Sequence, residues 1–402
     1  MLRLGVIGLG LRASHMVRAM RNADPELHVA AVADPDGEAA LQRLRQMNLG
    51  DNGTLTCQTA EQLLEQADRL DGLLIGTRCH LHTPLAVQVA GTGLPLFLEK
   101  PVAIDAEQLQ ALNQAYRGKE DQVVVSFPLR VTPLFRTVLE IVRSGRLGKI
   151  NQVQAINNVN YGGVYFGNWY RNYDQVGGLW LQKATHDFDY INHLLGQTPL
   201  TIAAMSTQGV YGGDRPFDLR CSACDQTQSC PESPRNQALR GDTGGMKKDD
   251  HWCAFSQGIR NQDAGSAILL YSPGLHASYT QNFITRRGAH RRGAIITGYH
   301  ATLEFDWATD SITIHDHHDH RVDRITVKPT GGHSGGDAAL VTSFVKLMRR
   351  EEPGSYANLR DGLISAAICL AARESVLTQT FQPIVPPWQS ASDHPTVQMT
   401  AV

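Results

Sequence analysis

The sequence lacks the features that mark membrane-bound, secreted and nucleic-acid-binding chains. No apolar run approaches the ~20 residues that a membrane-spanning helix needs. The 37 lysines and arginines nearly balance the 39 aspartates and glutamates, so neither a basic surface for nucleic acid nor an acidic tail is predicted. The stretch MLRLGVIGLGLRASHM has too short an apolar run for a signal peptide. We therefore expect no membrane and no nucleic-acid partner.

Cysteine is scarce and odd in number, which argues against a disulfide framework. The chain has seven cysteines among 402 residues and no secretion signal, so we expect reduced thiols and a cytoplasmic location. A composition of 42% hydrophobic and 19% charged residues is typical of globular proteins, and the length favours two domains.

Short apolar runs alternate with helix-like stretches up to about residue 125. The runs are apolar on both faces, as buried parallel strands are, and they read LRLGVIG, HVAAVAD, GLLIGT, LPLFLE and QVVVSF. This β-α-β-α order predicts an α/β fold with a doubly wound parallel sheet of the Rossmann type over residues 1–126.

The pattern becomes strand-rich after residue 126. Several strand candidates are joined by short polar turns, which favours antiparallel pairing, and two helices near 336–350 and 359–378 close the chain. We expect a second domain over residues 127–385. A long polar loop at 212–250 carries cysteines, and the Pro- and Ser-rich tail 386–402 is expected to form an arm.

The first strand is followed at once by a glycine motif that is typical of dinucleotide binding. Gly8 permits a tight turn, Gly10 lets a pyrophosphate approach the backbone, and Ala13 allows close helix packing. The helix that begins with Leu11 and Arg12 directs its free N–H groups toward the phosphates. A glycine turn in an unliganded α/β domain is the alternative.

A carboxylate at the end of the second strand indicates which dinucleotide would bind. Asp34 lies where it would bind the ribose hydroxyls and repel a 2′-phosphate, so NAD is favoured over NADP. Arg12 could still meet a phosphate, which leaves NADP open as a cofactor.

The motif Glu99-Lys100-Pro101 follows an apolar strand, at the edge where open α/β sheets bind ligands. A lysine there can hydrogen-bond a sugar hydroxyl and lower the barrier to its deprotonation. The alternative is a surface lysine before a proline turn.

A mostly apolar stretch, GGLWLQKATHDFDYINHLLG, carries three titratable side chains three residues apart. Positions i and i+3 are neighbours on one helix face, so Lys183, His186 and Asp189 form a stripe. The stripe is either a solvated edge with an ion pair or an acid/base site at the floor of a cleft.

Together, several motifs resemble those of the glucose–fructose oxidoreductase and inositol dehydrogenase (Gfo/Idh/MocA) family. They are the glycine motif, GLLIGTRCHLH, EKP, SGRLGKI, GGLWLQKATHDFD and HSGGD, and the resemblance covers about residues 2–380. It implies a second domain of α+β type whose large open, mainly antiparallel sheet forms the subunit interface of a homodimer or homotetramer. It also implies NAD or NADP as cofactor and a sugar or cyclitol as substrate.

The resemblance implies roles for particular residues. Lys100 matches the lysine that contacts the reacting hydroxyl. His186 matches the acid/base histidine, and the ordinary pKa of histidine suits proton transfer near neutrality. Lys183 and Asp189 would position the substrate or tune His186, although Asp189 could instead pair with Lys183 or cap a neighbour.

Two departures from the family pattern stand out. The family often has a carboxylate four residues before the histidine, where this chain has Gln182, an amide that cannot take a proton at neutral pH. The usual Thr-Pro-Asn-x-x-His loop reads TRCHLH at residues 77–82, which keeps the histidine and loses the proline and asparagine. The residues of these motifs that we expect to contact the cofactor are Thr77, His82, Glu99 and Lys100.

An aromatic, hydroxyl-rich segment, NNVNYGGVYFGNWYRNYDQ, fits a sugar site. The segment offers stacking faces and hydrogen-bond donors from Tyr161, Tyr165, Trp169, Tyr170 and Arg171. Arg171 could bind an anionic group of the substrate. An ordinary packed loop is the alternative for each of them. His333, in the loop before the helix near 336–350, is expected to reach the substrate, whereas Asp337 is expected to cap that helix.

The cysteines of the long loop predict a structural zinc site. Cys221, Cys224, Cys230 and Cys253 could hold one tetrahedral ion, with His251 as an alternative fourth ligand, although the last two cysteines lack the usual C-x-x-C spacing. Free thiols or a labile disulfide in a mobile loop form the other interpretation.

The function predicted from these residues is hydride transfer between NAD(P) and a hydroxyl-bearing carbon of a sugar, sugar acid or cyclitol. The alternative on the same scaffold is a glycoside hydrolase that uses bound NAD for transient oxidation, elimination and re-reduction. A cofactor-bound sensor without turnover would predict a damaged lysine or histidine, and both Lys100 and His186 are present.

Overall fold

The structure is a computed structural model, which describes residues 1–49, 53–241, 250–272, 274–328, 332–351 and 354–389. Most of the expected arm at 386–402 lies outside the described residues, as does the end of the loop at 212–250.

Residues 2–125 form a six-stranded parallel sheet, which confirms the prediction from the alternating apolar runs. The strand order is β3-β2-β1-β4-β5-β6, so the winding reverses between β1 and β4, and ligands of such sheets bind at the carboxyl ends beside that point. The strands are β1 Leu2–Ile7, β2 Leu27–Ala33, β3 Leu55–Cys57, β4 Gly72–Ile75, β5 Leu96–Leu98 and β6 Val123–Val125. The helices between them are α1 Leu11–Ala23, α2 Gly37–Gln46, α3 Ala60–Leu64, α4 His82–Ala90 and α5 Ala106–Ala115.

The rest of the chain builds a nine-stranded sheet of order β14-β13-β12-β11-β7-β10-β9-β8-β15. All neighbours are antiparallel except β7 and β10, which confirms a mainly antiparallel sheet. Its strands are β7 Ile150–Asn158, β8 Thr201–Thr207, β9 Ala264–Ser272, β10 Leu275–Asn282, β11 Arg291–Gly298, β12 Ala301–Asp306, β13 Ser311–Asp316, β14 Val322–Thr326 and β15 Gln382–Pro383. The accompanying helices are α6 Pro133–Arg143, α7 Val164–Gly167, α8 Tyr173–Val176, α9 Thr185–Leu195, α10 Pro234–Leu239, α11 Gly336–Met348 and α12 Leu359–Thr378.

One face of the nine-stranded sheet is covered by helices and the other is open. The covered face contacts α12, where Ser375 Oγ accepts a hydrogen bond from the Ala204 N–H over 2.9 Å. Residues of β9 alternate between buried and exposed, as expected for a sheet with one solvated face. On the open face Ile268 is 53% exposed and Met205 on β8 is 71% exposed. The open face therefore carries large apolar side chains.

Helices from the end of the chain complete the core of the parallel sheet. The rings of Phe97 in β5 and Phe344 in α11 meet edge-on with centroids 5.6 Å apart. A Cβ placed on Gly72 in β4 would lie 2.7 Å from Met348, so glycine is needed for this close packing. The predicted domain boundary after residue 126 stays a prediction, because α11 comes from far beyond that residue and still packs in the core of the parallel sheet.

The longest described helix, α12, has 20 residues and begins with a capping box between Asn358 and Asp361. Neither it nor any other described helix combines the length and the apolar character that crossing a membrane requires.

Candidate functional site

The two glycines of the motif have different surroundings. Gly8 has a left-handed φ of +81°, and a Cβ there would lie 2.6 Å from the Cγ2 of Thr77. Beside Gly10 there is open space, because the nearest atom to a Cβ would be the Gly76 carbonyl oxygen at 4.0 Å. Gly10 is also the N-cap of α1 and has no side chain, so the first N–H groups of the helix can face an anion. This cradle fits a pyrophosphate.

Asp34 lies at the carboxyl end of β2, against the glycine loop. Its carboxylate accepts hydrogen bonds from the backbone N–H groups of Leu9 (2.9 Å) and Asp36 (3.0 Å). The half-buried side chain is thereby fixed where a ribose diol would approach the loop. A carboxylate at this place fits NAD.

Arg12 is held by two carboxylates. Its Nη1 and Nη2 donate to the two oxygens of Asp337 over 2.8 and 2.7 Å, and its Nε donates to Glu99 over 3.0 Å. Although burial opposes the shift, the hydrogen bonds from Arg12 and His333 lower the pKa of Asp337 below its ordinary range. The guanidinium of Arg12 therefore forms ion pairs with Asp337 and Glu99. These contacts do not support the predicted contact of Arg12 with a phosphate.

The loop before α11 is built differently from the prediction. Gly335 is the N-cap of the helix, whereas Asp337 lies in its first turn and binds Arg12, so the prediction that Asp337 caps α11 is wrong. His333 lies 2.9 Å through its Nδ1 from Asp337. His333, Ser334 and Gly335 have successive positive φ angles of 45°, 53° and 90°. Such left-handed residues cost free energy when they are not glycine, and they recur at binding sites.

Lys100 follows β5 and contacts the turn that precedes α9. Its Nζ donates to the main-chain carbonyl oxygen of Gln182 over 2.8 Å and to the amide oxygen of the same residue at 3.3 Å. Burial lowers the pKa of Lys100 to about 8, and the charge of Lys183 acts in the same direction. The pKa of the Lys100 amine therefore lies close to neutral pH.

The helix that carries Gln182 opens with a π turn over Trp180–Ala184, which the apolar pattern did not predict. π turns are rare and recur at functional sites because they widen the helix locally. Here the turn contains Gln182 and Lys183, and α9 with His186 follows it directly.

His186 is buried against the edge of the Phe127 ring, with centroids 5.9 Å apart. Its Nδ1 has no hydrogen-bond partner among the described residues. Burial lowers the pKa of His186 well below its ordinary value, and the positive charges of Lys100, Arg292 and Lys183 lower it further. The imidazole is therefore neutral at neutral pH.

Asp189 does not share the environment of the other two residues of the predicted stripe. It is fully buried and accepts a bidentate pair of hydrogen bonds from Arg130, which also reaches Asp361 at 2.7 Å. Burial raises the pKa of Asp189, and the guanidinium of Arg130 opposes that shift. The prediction of a substrate contact at Asp189 is thus not supported, because the helix turns this side chain into the core.

Lys183 contacts Tyr161 of the aromatic segment and lies near Arg292, a residue that the sequence did not single out. Its Nζ donates to the hydroxyl of Tyr161 over 2.6 Å. Nearby on β11, Arg292 donates from its Nε to Asp187 over 2.9 Å, and its Nη2 is buried with no partner in the described part of the chain. No spacing rule links residues 161, 183 and 292, so only the folded chain brings them together.

Three residues expected at the cofactor instead support the loops around it. His82 is buried, and its two ring nitrogens lie 2.8 Å from the Pro101 carbonyl oxygen and 3.3 Å from that of Thr77. Thr77 packs against Gly8, and buried Glu99 pairs with Arg12. These contacts hold the glycine loop and the EKP loop together, and a direct cofactor contact of these side chains stays a prediction.

The aromatic segment divides into a stacked surface and a buried arginine. Trp169 stacks on Tyr170 with centroids 3.9 Å apart, and Tyr165 is buried beside Tyr170. Arg171 is almost fully buried with its guanidinium 4.2 Å from the Phe217 ring, and its three nitrogens lack hydrogen-bond partners within the described residues. Because Arg171 faces the cysteine-bearing loop, its contacts do not support the predicted role in substrate binding.

The predicted zinc site is not supported. Within the described ranges no three His, Cys, Asp or Glu side chains converge as metal ligands. Cys221 lies beside His251, but both ring nitrogens of this histidine face carbonyl oxygens, of Trp252 at 2.8 Å and Glu232 at 2.9 Å. The seven thiols are free, and Cys221 and Cys253 are buried, whereas Cys224 and Cys230 are half-buried.

Comparisons with known proteins agree with this fold. YteT of Bacillus subtilis is 26% identical over 307 residues that cover 67% of this chain and 71% of YteT. Inositol 2-dehydrogenase of Rhizobium meliloti is 26% identical over 210 residues, which cover 50% of this chain and 57% of the enzyme. Levoglucosan dehydrogenase, solved with NADH and L-sorbose, has the same fold, with a TM-score of 0.76, 16% identity and coverage of 96% of this chain and 100% of that chain.

Family models match both halves of the chain. Residues 2–127 match the NAD-binding Rossmann fold of the GFO/IDH/MocA oxidoreductases, and residues 135–304 match the GFO/IDH/MocA C-terminal domain. The two matches together span well over half of the sequence. The chain therefore belongs to the GFO/IDH/MocA family of oxidoreductases.

Proposed function

We propose that the protein is an NAD-dependent dehydrogenase that transfers hydride between nicotinamide and a hydroxyl-bearing carbon of a sugar, sugar acid or cyclitol. The observation that carries the proposal is the contact between Lys100 and Gln182, beside His186. A half-buried amine and a neutral imidazole would then lie together at the carboxyl edge of the parallel sheet, where such sheets bind ligands.

The glycine loop is suited to NAD. The backbone N–H groups at Leu11, Arg12 and Ala13 would hold the pyrophosphate, and Asp34 would bind the ribose diol. A 2′-phosphate beside the Asp34 carboxylate would meet like charge, which supports NAD over NADP. When bound, the cofactor supplies the hydride acceptor.

Lys100 and His186 would both hydrogen-bond the reacting hydroxyl. With a pKa of about 8, Lys100 is mainly an ammonium at neutral pH and can donate a hydrogen bond to the hydroxyl oxygen. This hydrogen bond becomes stronger as negative charge develops on that oxygen during the reaction. The neutral imidazole of His186 can accept a hydrogen bond from the same hydroxyl and orient it.

The substrate class rests on the relatives and on the aromatic surface. An inositol dehydrogenase and a levoglucosan dehydrogenase are among the similar proteins, and both names describe oxidation of polyhydroxylated rings. The stacked pair Trp169 and Tyr170 would offer such a ring an apolar face.

The proposal also includes a homo-oligomeric assembly and a cytoplasmic location. A homodimer or homotetramer would bury the open face of the nine-stranded sheet, where Met205 and Ile268 are exposed. A cytoplasmic location rests only on the sequence argument from cysteine usage.

The test follows nicotinamide absorbance while free sugars, sugar acids, cyclitols and chromogenic glycosides are added to the protein with NAD. Net NADH formation with a free polyol is the expected result. Aglycone release that needs NAD and gives no net NADH would replace the dehydrogenase with a glycoside hydrolase that has an internal redox cycle.

A further inference from the structure

We propose that Tyr161 takes the proton from the reacting hydroxyl and that Lys183 positions its phenol and stabilises the ionised form. The inference rests on the proposed dehydrogenase function and deepens it. It starts from the 2.6 Å hydrogen bond from Lys183 Nζ to the Tyr161 hydroxyl.

Burial lowers the pKa of Lys183, whereas the contact with Tyr161 and the charge of Asp187 oppose that shift. Lys183 is almost fully buried, and within the described part of the chain no carboxylate lies in hydrogen-bond distance of its Nζ. The nearby Asp187 is occupied by Arg292, Asn157 and Tyr279. A buried ammonium without a counter-charge is costly. An ionised Tyr161 phenol would provide that charge.

The charges around Tyr161 favour its ionisation. Lys183 faces it from the π turn, Arg292 from β11 and Lys100 from the EKP loop, while Tyr165 is the neighbouring phenol. Burial opposes ionisation, but the three cations outweigh it and lower the pKa of Tyr161 to about 8.

The other groups at the site are poorer proton acceptors. Gln182 is an amide and cannot take a proton at neutral pH. The pKa of His186 lies well below its ordinary value because of burial and the neighbouring cations, so its neutral imidazole is a weak base. The phenolate of Tyr161, which becomes the main form of this side chain above about pH 8, is the stronger base.

The hydroxyl O–H bond breaks and its proton goes to the phenolate oxygen of Tyr161, while the C–H electron pair leaves as hydride for NAD and the C=O bond forms. Tyr161 is 37% exposed, so the phenol can return its proton to solvent.

A titration tests the pair without turnover. The phenolate absorption of the whole protein is followed by ultraviolet difference spectroscopy in the wild type, Tyr161→Phe, Lys183→Met and a matched control, Tyr299→Phe, at an exposed tyrosine between β11 and β12. One phenol should titrate near pH 8 in the wild type and the control, disappear in Tyr161→Phe and titrate higher in Lys183→Met. A wild type with no phenol below the ordinary range near 10 would overturn the inference.

The pH profile of kcat/KM for polyol oxidation supplies the second test. Tyr161→Phe should lower kcat by about 10²–10⁴-fold, abolish the rising limb and leave NADH affinity unchanged. An intact rising limb in Tyr161→Phe would overturn the role of Tyr161. A wild type that titrates as expected but oxidises no polyol would support the Tyr161–Lys183 pair and overturn the proposed function instead.

Discussion

Lys100 Nζ lies 2.8 Å from the carbonyl oxygen of Gln182, and this contact joins two parts of the chain that are 82 residues apart. Lys100 comes from the end of a parallel strand, whereas Gln182 comes from a π turn that leads into α9. The amine is thus held beside His186 by both halves of the fold.

Replacement of Lys100 by alanine is expected to remove turnover and leave cofactor binding intact. The ammonium acts on the reacting hydroxyl, and such groups contribute about 10²–10⁴-fold to rate. Because the pKa of Lys100 is about 8, wild-type activity should also fall as the pH rises above that value and the ammonium is lost. Steady-state kinetics and NADH titration measure both effects, with Lys149→Ala at an exposed lysine as the control. Unchanged turnover in Lys100→Ala would remove the assignment.

The two motif glycines should respond differently to a methyl group. Gly8→Ala forces a left-handed alanine against Thr77 and should lower the free energy of unfolding by about 1–2 kcal/mol or more. Gly10→Ala places its methyl group no closer than 4.0 Å to the Gly76 carbonyl oxygen and should leave the unfolding free energy within about 0.5 kcal/mol, while NADH affinity falls about tenfold or more. Urea unfolding and NADH fluorescence distinguish the two effects. Equal NADH affinity in Gly10→Ala and the wild type would contradict the predicted pyrophosphate cradle.

Asp34→Ala is expected to weaken NADH binding by about 10–100-fold and to narrow the preference for NADH over NADPH. A charged hydrogen bond to the ribose is lost, and so is the repulsion of a 2′-phosphate. Binding titrations with both nucleotides measure the ratio. The control is Asp36→Ala, which removes the N-cap of α2, costs about 1 kcal/mol of stability and should leave the ratio unchanged.

Arg130→Met should lower the free energy of unfolding by about 3–5 kcal/mol, because it leaves the carboxylate of Asp189 buried without its partner. Arg146 offers a matched comparison, since it also pairs with two carboxylates, Asp316 and Asp323, but lies closer to solvent. Arg146→Met should cost at most about 1 kcal/mol. Denaturant unfolding of both variants provides the measurement, and equal losses would contradict the burial argument.

The sequence predicted the layers of this fold because local periodicity reports burial. Runs that are apolar on both faces predicted the strands of the parallel sheet. The helices expected near 336–350 and 359–378 are observed as Gly336–Met348 and Leu359–Thr378. The ends of these elements also located the glycine loop and Lys100 at one edge of the sheet.

The side-chain partners were beyond such reasoning. Asp189 pairs with Arg130, 59 residues earlier, and Lys183 binds Tyr161, which lies 22 residues earlier in the turn between β7 and α7. Their spacing to His186 suggested one stripe, but the tertiary packing of α9 decides which side chains face the core. The cysteine spacing likewise could not reveal that the ring nitrogens of His251 face carbonyl oxygens.

The packing of α11 against the parallel sheet has a consequence for how the protein is made. A ribosome releases β4 and β5 long before residues 336–348, yet Phe97 and Gly72 are covered by Phe344 and Met348. One apolar surface of the nucleotide-binding half therefore stays uncovered during most of translation, when nascent chains are most prone to aggregate. A chain truncated before α11 should accordingly depend on chaperones that the finished protein no longer needs.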